Sequence, residues 1–253
     1  MENQPERKNA SIAAISDPKE RYSSMWLSSQ FPITDRQPTH TPPTSELAAP
    51  VGGHPKRLLD ILVSVTALIL LAPLLAIVAM VMLVTLRRPI VFAQQRVGHD
   101  GRPFRCYKFR TMVRDADAVL AAHLASHPEA ADEWWRNQKL AHDPRVTFLG
   151  RLLRKSSIDE LPQLYNVLRG DMSCVGPRPI IADELQRYGN YREDYLRAKP
   201  GMTGLWQVSG RNALSYEDRV ALDSRYVRNW TFVGDLQILA KTIPAVIRFG
   251  ETA

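Results

Sequence analysis

A long run of uncharged, apolar residues constrains the fold of this chain more than any other feature. From Ile61 to Leu86 there are 26 residues without a charged side chain. As one α-helix this run would extend about 39 Å, against roughly 30 Å for the hydrocarbon core of a bilayer. A soluble domain of this size does not normally bury so long a helix. The run therefore predicts a segment inserted in a membrane.

The charges and the proline around this run indicate how the segment enters the bilayer. Two basic residues precede it at 56–57 and two follow it at 87–88, so the positive-inside rule assigns both ends to the cytoplasmic side. Pro73 divides the run into parts of 12 and 13 residues, each about 18 Å long as a helix. We therefore predict a re-entrant membrane helix over residues 56–88, broken at Pro73. The alternative is a single tilted span that tolerates the proline.

Composition separates the rest of the chain into a tail and a folded domain. Residues 1–55 hold eight of the 18 prolines and seven serines, and such a segment buries too little apolar surface to offset its ordering entropy. We predict a disordered tail over residues 1–55 and a folded domain over residues 89–253.

The net charge of +7 indicates an anionic partner, such as a membrane surface, a nucleic acid or a phosphorylated substrate. The two cysteines are far apart and indicate neither a disulfide framework nor a zinc site.

The segment RKSSIDELPQLYNVLRGDMSCVGPRP concentrates charged residues around two adjacent carboxylates, Asp159 and Glu160. Apolar residues at three- and four-residue spacing predict a short helix over Leu161–Leu168. The free amides and the dipole at the start of this helix would keep Asp159 ionised and would favour a bound anion. The spacing of Ser157 and Glu160 also matches a capping box, which would give both residues a purely structural role.

Basic residues occur in two further patterns. Prolines on both sides of Arg178 restrict its backbone, an arrangement suited to a guanidinium directed at phosphate. Upstream, VFAQQRVGHDGRPFRCYKFRTM predicts a β-hairpin that turns at His99–Gly101. Its period of two places Lys108 and Arg110 on one face, which by itself indicates only an exposed basic surface. Aromatic and basic residues also alternate in nucleic-acid binders, but nothing else in the chain resembles such a module.

The run SIDELPQLYNVLRGDMSCVGPRP resembles the signature of the bacterial sugar transferases, the monotopic polyprenyl-phosphate phosphoglycosyl transferases that start exopolysaccharide and glycan assembly. The resemblance covers about residues 55–250. It implies an α+β, mostly helical fold in which the re-entrant membrane helix joins a small cytoplasmic catalytic domain. That domain would contain a short β-hairpin and amphipathic interfacial helices. The implied location is the cytoplasmic face of the bacterial inner membrane.

The resemblance also implies a reaction and its residues. Asp159 would attack the sugar-bearing phosphorus of a UDP-sugar, release UMP and hold the phosphosugar covalently until a polyprenyl phosphate accepts it. Glu160 would assist, and Asp159 would also contact Mg²⁺. Gln207 and Arg211 are further candidates for contacts with the nucleotide or the sugar. The residues that would bind the substrate's phosphates are Lys108, Arg110, Arg154 and Arg178.

Other functions stay compatible with the sequence. A membrane-attached glycosyltransferase that moves only the sugar would release UDP, and a non-catalytic scaffold of the same fold would have no activity that depends on Asp159. The expected partners are a UDP-sugar, undecaprenyl phosphate and the bilayer, with no nucleic acid. The sequence leaves both a monomer and a homo-oligomer open, and no residue identifies the sugar.

Overall fold

The described chain is mostly helical, with four short strands. The computed structural model describes residues 49–86, 88–137, 140–210 and 214–247, so the tail predicted over residues 1–55 lies largely outside the described residues. Two compact units are present, one formed by residues 118–142 and the other by the remaining described residues. The helices are α1 (Gly53–Thr85), α2 (Ala116–Ser126), α3 (Pro128–Asn137), α4 (Phe148–Lys155), α5 (Gln163–Arg169), α6 (Ala182–Arg187), α7 (Arg192–Leu196), α8 (Leu205–Ser209), α9 (Tyr216–Arg228) and α10 (Phe232–Ile247). The strands are β1 (Val91–Val97), β2 (Pro103–Phe109), β3 (Ser173–Val175) and β4 (Gly201–Thr203).

Helix α1 contains almost the whole apolar run. Among the described helices it is the one that is long and apolar enough to cross a membrane. Large apolar side chains along it are exposed, including Ile69, Leu70 and Val84, which expose 68%, 73% and 78% of their surface. An exposed apolar surface of this extent is typical of a membrane or protein interaction site. The helix continues through Pro73, so the predicted division into two helices is not confirmed.

One stripe of α1 packs on the larger unit near both ends of the helix. Near the N-terminus, Asp60 Oδ1 accepts hydrogen bonds from Ser173 Oγ at 2.9 Å and from the Cys174 backbone N–H at 2.8 Å. Near the C-terminus, Met82 is fully buried in a cluster with Phe109 and Leu153. Twenty-two residues separate Asp60 from Met82, close to a whole number of helical turns, so both lie on the same face.

Buried charged groups hold the first turns of α1. Lys56 Nζ lies 2.6 Å from Asp235 Oδ2 and donates a hydrogen bond to Tyr226 OH at 3.0 Å. Arg57 donates to the backbone carbonyl oxygens of residues 167–168, at 2.5 and 2.6 Å. These carbonyls lie at the C-terminal end of α5, where a helix leaves acceptors unpaired. The start of the apolar helix is therefore joined to α5 and α10.

Strands β1 and β2 form the predicted hairpin. The strands are antiparallel, and their register pairs Phe92 with Lys108 and Arg96 with Phe104. The chain turns at His99–Gly101, as the sequence predicted. A second sheet, in which β3 and β4 pair in parallel, was not predicted. It joins residues distant in sequence, and such a pairing leaves no local pattern.

Helix α4 has the basic amphipathic character that was predicted for an interfacial helix. Gly150 and Leu153 are buried against the protein. Phe148 and Leu152 are 72% and 52% exposed, beside exposed basic side chains of the same helix. A helix that exposes both apolar and basic groups suits an anionic membrane surface.

The unit formed by residues 118–142 has its own small core. Leu120 and Leu124 of α2 pack with Ala131 of α3 and with Leu140. This core lies inside the range 89–253 that the sequence analysis treated as one domain, and it subdivides that range.

Candidate active site

The two adjacent carboxylates lie on a short 3-10 turn, Ile158–Glu160, between α4 and α5. Ser157, just before the turn, has a left-handed φ of 57°, which lets the chain change direction after α4. Pro162 immediately precedes the first residue of α5, where its missing N–H removes no helical hydrogen bond. The short helix predicted after the carboxylates is thus confirmed, with its start two residues later. Asp159 is only 8% exposed, whereas Glu160 is half-buried.

The capping-box interpretation is wrong for this turn. Within the described part of the chain, the Ser157 side chain makes no capping hydrogen bond. The Glu160 carboxylate instead lies 2.6 Å from Lys108 Nζ. Lys108 belongs to β2, 52 residues earlier in the chain. Because the pair is partly exposed it adds little stability, but it places an ammonium group beside the carboxylates.

Burial determines the protonation of Asp159. Its apolar surroundings raise the pKa of this carboxyl from 3.8 to about 6, and the charge of Glu160 acts in the same direction. Lys108 and Arg154 oppose this rise without cancelling it. The sequence analysis expected the helix start to favour the ionised form of Asp159, whereas burial shifts the pKa of this carboxyl in the opposite direction. At neutral pH the carboxylate is still mostly ionised, and it is more basic than an exposed aspartate, as suits a nucleophile.

Arg154 is oriented by Thr111, the residue that follows the basic pair of the hairpin. Arg154 Nε donates to Thr111 Oγ1 at 2.8 Å, and the Thr147 backbone N–H donates to the Thr111 carbonyl at 3.0 Å. Helix α4 approaches this residue so closely that a Cβ on Gly150 would lie 2.0 Å from the Thr111 carbonyl oxygen. Glycine is therefore required at position 150. The close approach brings a guanidinium to the end of β2, near Lys108.

Asn166 is a buried positioning residue that the sequence analysis missed. Its Oδ1 accepts a hydrogen bond from the Tyr107 backbone N–H at 3.0 Å, and its Nδ2 donates to the Arg105 carbonyl at 2.7 Å. The side chain thus pairs with the outer edge of β2 as a neighbouring strand would, and joins β2 to α5. Lys108 is on this strand, and Asp159 lies in the turn that leads into this helix. In the sequence, the only local indication that Asn166 is buried was its position between the apolar Leu164 and Val167.

The other two predicted phosphate-binding residues, Arg110 and Arg178, do not make the contacts that Lys108 and Arg154 make. Arg110 directly follows β2, and its backbone N–H donates to the Ile90 carbonyl at 2.8 Å. Arg178 lies in the loop after β3, where its guanidinium is 6.0 Å from the Trp206 ring centroid. Among the described residues, neither side chain forms a salt bridge with the two carboxylates. The described contacts therefore unite Asp159, Glu160, Lys108 and Arg154, and the phosphate-binding roles of Arg110 and Arg178 stay predictions. Arg211 lies outside the described residues.

The adjacent carboxylates are compatible with Mg²⁺. Among the described residues, no group of three or more His, Cys, Asp and Glu side chains is arranged to hold a metal ion. Mg²⁺ is commonly held by one or two carboxylates together with water and substrate phosphates. Asp159 and Glu160 fit an ion that arrives with a diphosphate better than one bound permanently. Contact between Asp159 and Mg²⁺ stays a prediction.

Comparison with known proteins agrees with this site. The sequence profile of the bacterial sugar transferase family matches residues 52–249, which contain all six predicted site residues. The chain is 51% identical over 197 residues to the exopolysaccharide production protein ExoY of Sinorhizobium fredii, covering 78% of this chain and 87% of that protein. It is 52% identical over 193 residues to the undecaprenyl-phosphate galactose phosphotransferase of Salmonella typhimurium, covering 76% of this chain and 40% of that protein. It is 37% identical over 198 residues to the UDP-glucose:undecaprenyl-phosphate glucose-1-phosphate transferase of Klebsiella pneumoniae, covering 74% of this chain and 39% of that protein.

Proposed function

Because this chain belongs to the bacterial sugar transferase family, we propose that it transfers a phosphosugar from a UDP-sugar to undecaprenyl phosphate and releases UMP. This reaction would be the first step of exopolysaccharide synthesis. The observation that carries the proposal is a buried aspartate, Asp159, whose pKa is raised and which lies beside a second carboxylate and two cationic side chains. The names of the Salmonella and Klebsiella relatives support the substrate class.

The reaction proceeds in two displacements at one phosphorus atom. An Asp159 oxygen attacks the sugar-bearing phosphorus, the bond to the bridging oxygen breaks, and UMP leaves with that oxygen. A phosphate oxygen of undecaprenyl phosphate then attacks the same phosphorus and displaces the Asp159 carboxylate. Lys108 and Arg154 attract the diphosphate and neutralise charge that would otherwise repel each incoming anion. Glu160 holds the Lys108 ammonium in place.

Mg²⁺ is the proposed cofactor, since two carboxylates and a substrate diphosphate form a suitable set of oxygen ligands. When bound, the ion would withdraw negative charge from the diphosphate and assist departure of UMP. Asp159 and Glu160 are the residues that would hold it. Removal of divalent cations with EDTA is then expected to abolish UMP release.

The exposed apolar surface of α1 supports a position of this site at the membrane surface. Both ends of α1 pack on the same unit, through Asp60 and Met82, whereas the two ends of a helix that crossed the bilayer would lie on opposite sides of the membrane. This supports a re-entrant arrangement in the bacterial inner membrane, with the catalytic residues on the cytoplasmic face. Undecaprenyl phosphate then reaches Asp159 without leaving the lipid.

A nucleotide-release assay tests the proposal. Detergent-solubilised protein receives Mg²⁺, undecaprenyl phosphate and a panel of UDP-sugars, alongside Asp159→Asn and the matched exposed control Asp115→Asn. We expect UMP release with at least one donor, normal release by the control and none by Asp159→Asn. Without acceptor, label from the sugar should stay on the wild-type protein. UDP release would instead indicate simple glycosyl transfer, and no release with any donor would favour a non-catalytic scaffold.

A further inference from the structure

A second pair of cationic side chains lies beside Trp206. The guanidinium carbons of Arg178 and Arg219 lie 6.0 and 5.2 Å from the centroid of the Trp206 ring. Burial, followed by the charge of Arg178, lowers the pKa of Arg219. Neither guanidinium forms a salt bridge with a carboxylate in the described ranges. Two neighbouring like charges of this kind favour a bound anion.

The same group contains buried polar atoms that lack hydrogen-bond partners within the described residues. These atoms are Trp206 Nε1, Arg219 Nε and Asp223 Oδ1. Asp223 is only 2% exposed, and its other oxygen accepts from Tyr188 OH at 3.0 Å and from the Arg178 backbone N–H at 3.2 Å. A buried polar group without a hydrogen-bond partner destabilises the fold unless a ligand supplies the partner. Two donors and an acceptor left unpaired together indicate a ligand with anionic oxygens and at least one hydrogen-bond donor.

Arg96 connects this group to the Asp159 site along the hairpin. Arg96 Nη1 donates to the carbonyl of Pro179, the residue after Arg178, at 3.1 Å. Lys108 of β2 pairs with Phe92 of β1, and Arg96 lies four residues after Phe92 on the same strand. This separation is about 13 Å along the strand. Lys108 is at the end of the hairpin where Phe109 packs on α1, and Arg96 is nearer the turn. Cationic side chains therefore occur at both of these positions of the hairpin, each beside a carboxylate: Lys108 beside Glu160 and Arg96 at 4.0 Å from Glu184.

We propose that Arg178, Arg219 and Trp206 bind the nucleotide half of the donor while Asp159 reacts at the sugar phosphate. This inference rests on the proposed function. A nucleotide supplies the required groups, since its phosphate is anionic and its ribose hydroxyls are hydrogen-bond donors. Undecaprenyl phosphate also carries a phosphate, but its lipid chain holds it in the bilayer, near the Lys108 end of the hairpin. Asp223 acts as a positioning residue, because it accepts the backbone N–H of Arg178.

Direct titration of the full chain in detergent, with UDP and UMP in separate experiments, tests the site without turnover. Hydrogen bonds to charged groups contribute about 1.5–3 kcal/mol, so Arg219→Ala should weaken UDP binding by about 10-fold or more. Arg219→Lys keeps the charge and should recover part of the affinity. Trp206→Phe keeps a ring but loses the N–H donor, and a several-fold loss is expected.

Arg225→Ala is the matched control, because Arg225 is exposed on the same helix, α9, and the variant removes the same charge. Equal UDP affinity in Arg219→Ala and Arg225→Ala, with equal thermal unfolding midpoints, would overturn the inference. In steady-state assays Arg219→Ala should raise KM for the UDP-sugar and leave KM for undecaprenyl phosphate unchanged. The reverse pattern would assign the group to the acceptor and would also overturn the inference. If UDP binding depends on Arg219 but the wild-type protein releases no UMP, the nucleotide site stands and the proposed reaction fails.

Discussion

The Asp159→Asn variant measures how much stability the buried nucleophile costs the fold. In the folded protein the pKa of Asp159 is about 6, against 3.8 for an exposed aspartate. A group whose pKa is raised by folding stabilises the folded state when protonated. That contribution is complete below about pH 4 and is lost as the pH rises through about 6. A difference of about two pKa units corresponds to about 3 kcal/mol of unfolding free energy.

Asparagine cannot ionise, so the variant avoids this cost. We expect the free energy of unfolding of Asp159→Asn to exceed that of the wild type by about 3 kcal/mol near pH 8 and by only about 1 kcal/mol near pH 4.5. For a chain of this size, the larger difference corresponds to a rise in the thermal unfolding midpoint of roughly 6–12 °C. The same variant should have no UMP-releasing activity. The residue proposed as the nucleophile would therefore destabilise the folded protein.

The assay is thermal unfolding of detergent-solubilised protein across this pH range. EDTA is included, because a bound divalent cation would lower the pKa of Asp159. Asp115→Asn removes the same charge from an exposed position and should leave the midpoint nearly unchanged. Equal midpoints for the wild type and Asp159→Asn near pH 8 would refute the reasoning. So would a stabilisation that grows as the pH falls.

Turnover of the wild-type protein should decrease as the pH falls through about 6, because protonated Asp159 is not a nucleophile, and a pH–rate profile measures this. Gly150→Ala would place a Cβ 2.0 Å from a backbone carbonyl oxygen, so we expect a loss of about 1–3 kcal/mol in denaturant titration together with a lower kcat. Asn166→Ala leaves two backbone groups of β2 unpaired, and about 1–3 kcal/mol should be lost for each. Lys56→Met leaves Asp235 as an unpaired buried charge, which should lower the free energy of unfolding by about 3–5 kcal/mol.

Specific outcomes would contradict these expectations. A pH–rate profile that stays flat down to about pH 5 would exclude an essential carboxylate with the pKa described here. Unchanged stability in Gly150→Ala or in Asn166→Ala would contradict the close packing and the backbone pairing, respectively. The double variant Lys56→Met, Asp235→Leu removes both buried charges and should recover part of the lost stability. A double variant no more stable than Lys56→Met would contradict the role of that ion pair.

Features with a local signal were predictable from the sequence. The apolar run from Ile61 to Leu86 has a composition that only lipid or a large core can accommodate, and the structure contains one long helix there. The hairpin turn at His99–Gly101 and the helix after Pro162 follow from short-range backbone preferences. The motif around Asp159 was sufficient to identify the family, which the comparisons confirm.

Features that depend on contacts between distant segments were decided by the tertiary structure. Lys108 meets Glu160 across 52 residues, and Arg154 meets Thr111 across 43. The sequence indicated a charged group of residues, but not that the Arg178 guanidinium would lie beside the Trp206 ring. No pattern of neighbouring residues specifies these distances.

The protonation of Asp159 shows most clearly which properties the sequence determined and which the tertiary structure decided. The sequence by itself determined that two carboxylates are adjacent, that a helix follows them, and that a long apolar helix precedes the catalytic motif. From the helix start alone, an ionised Asp159 was expected. Only the tertiary structure decided that this side chain is buried, and removal from water changes the pKa of a carboxyl more than the nearby amides and cations do. Burial depends on every segment that packs around a residue, so it is a property of the folded chain and not of the local sequence.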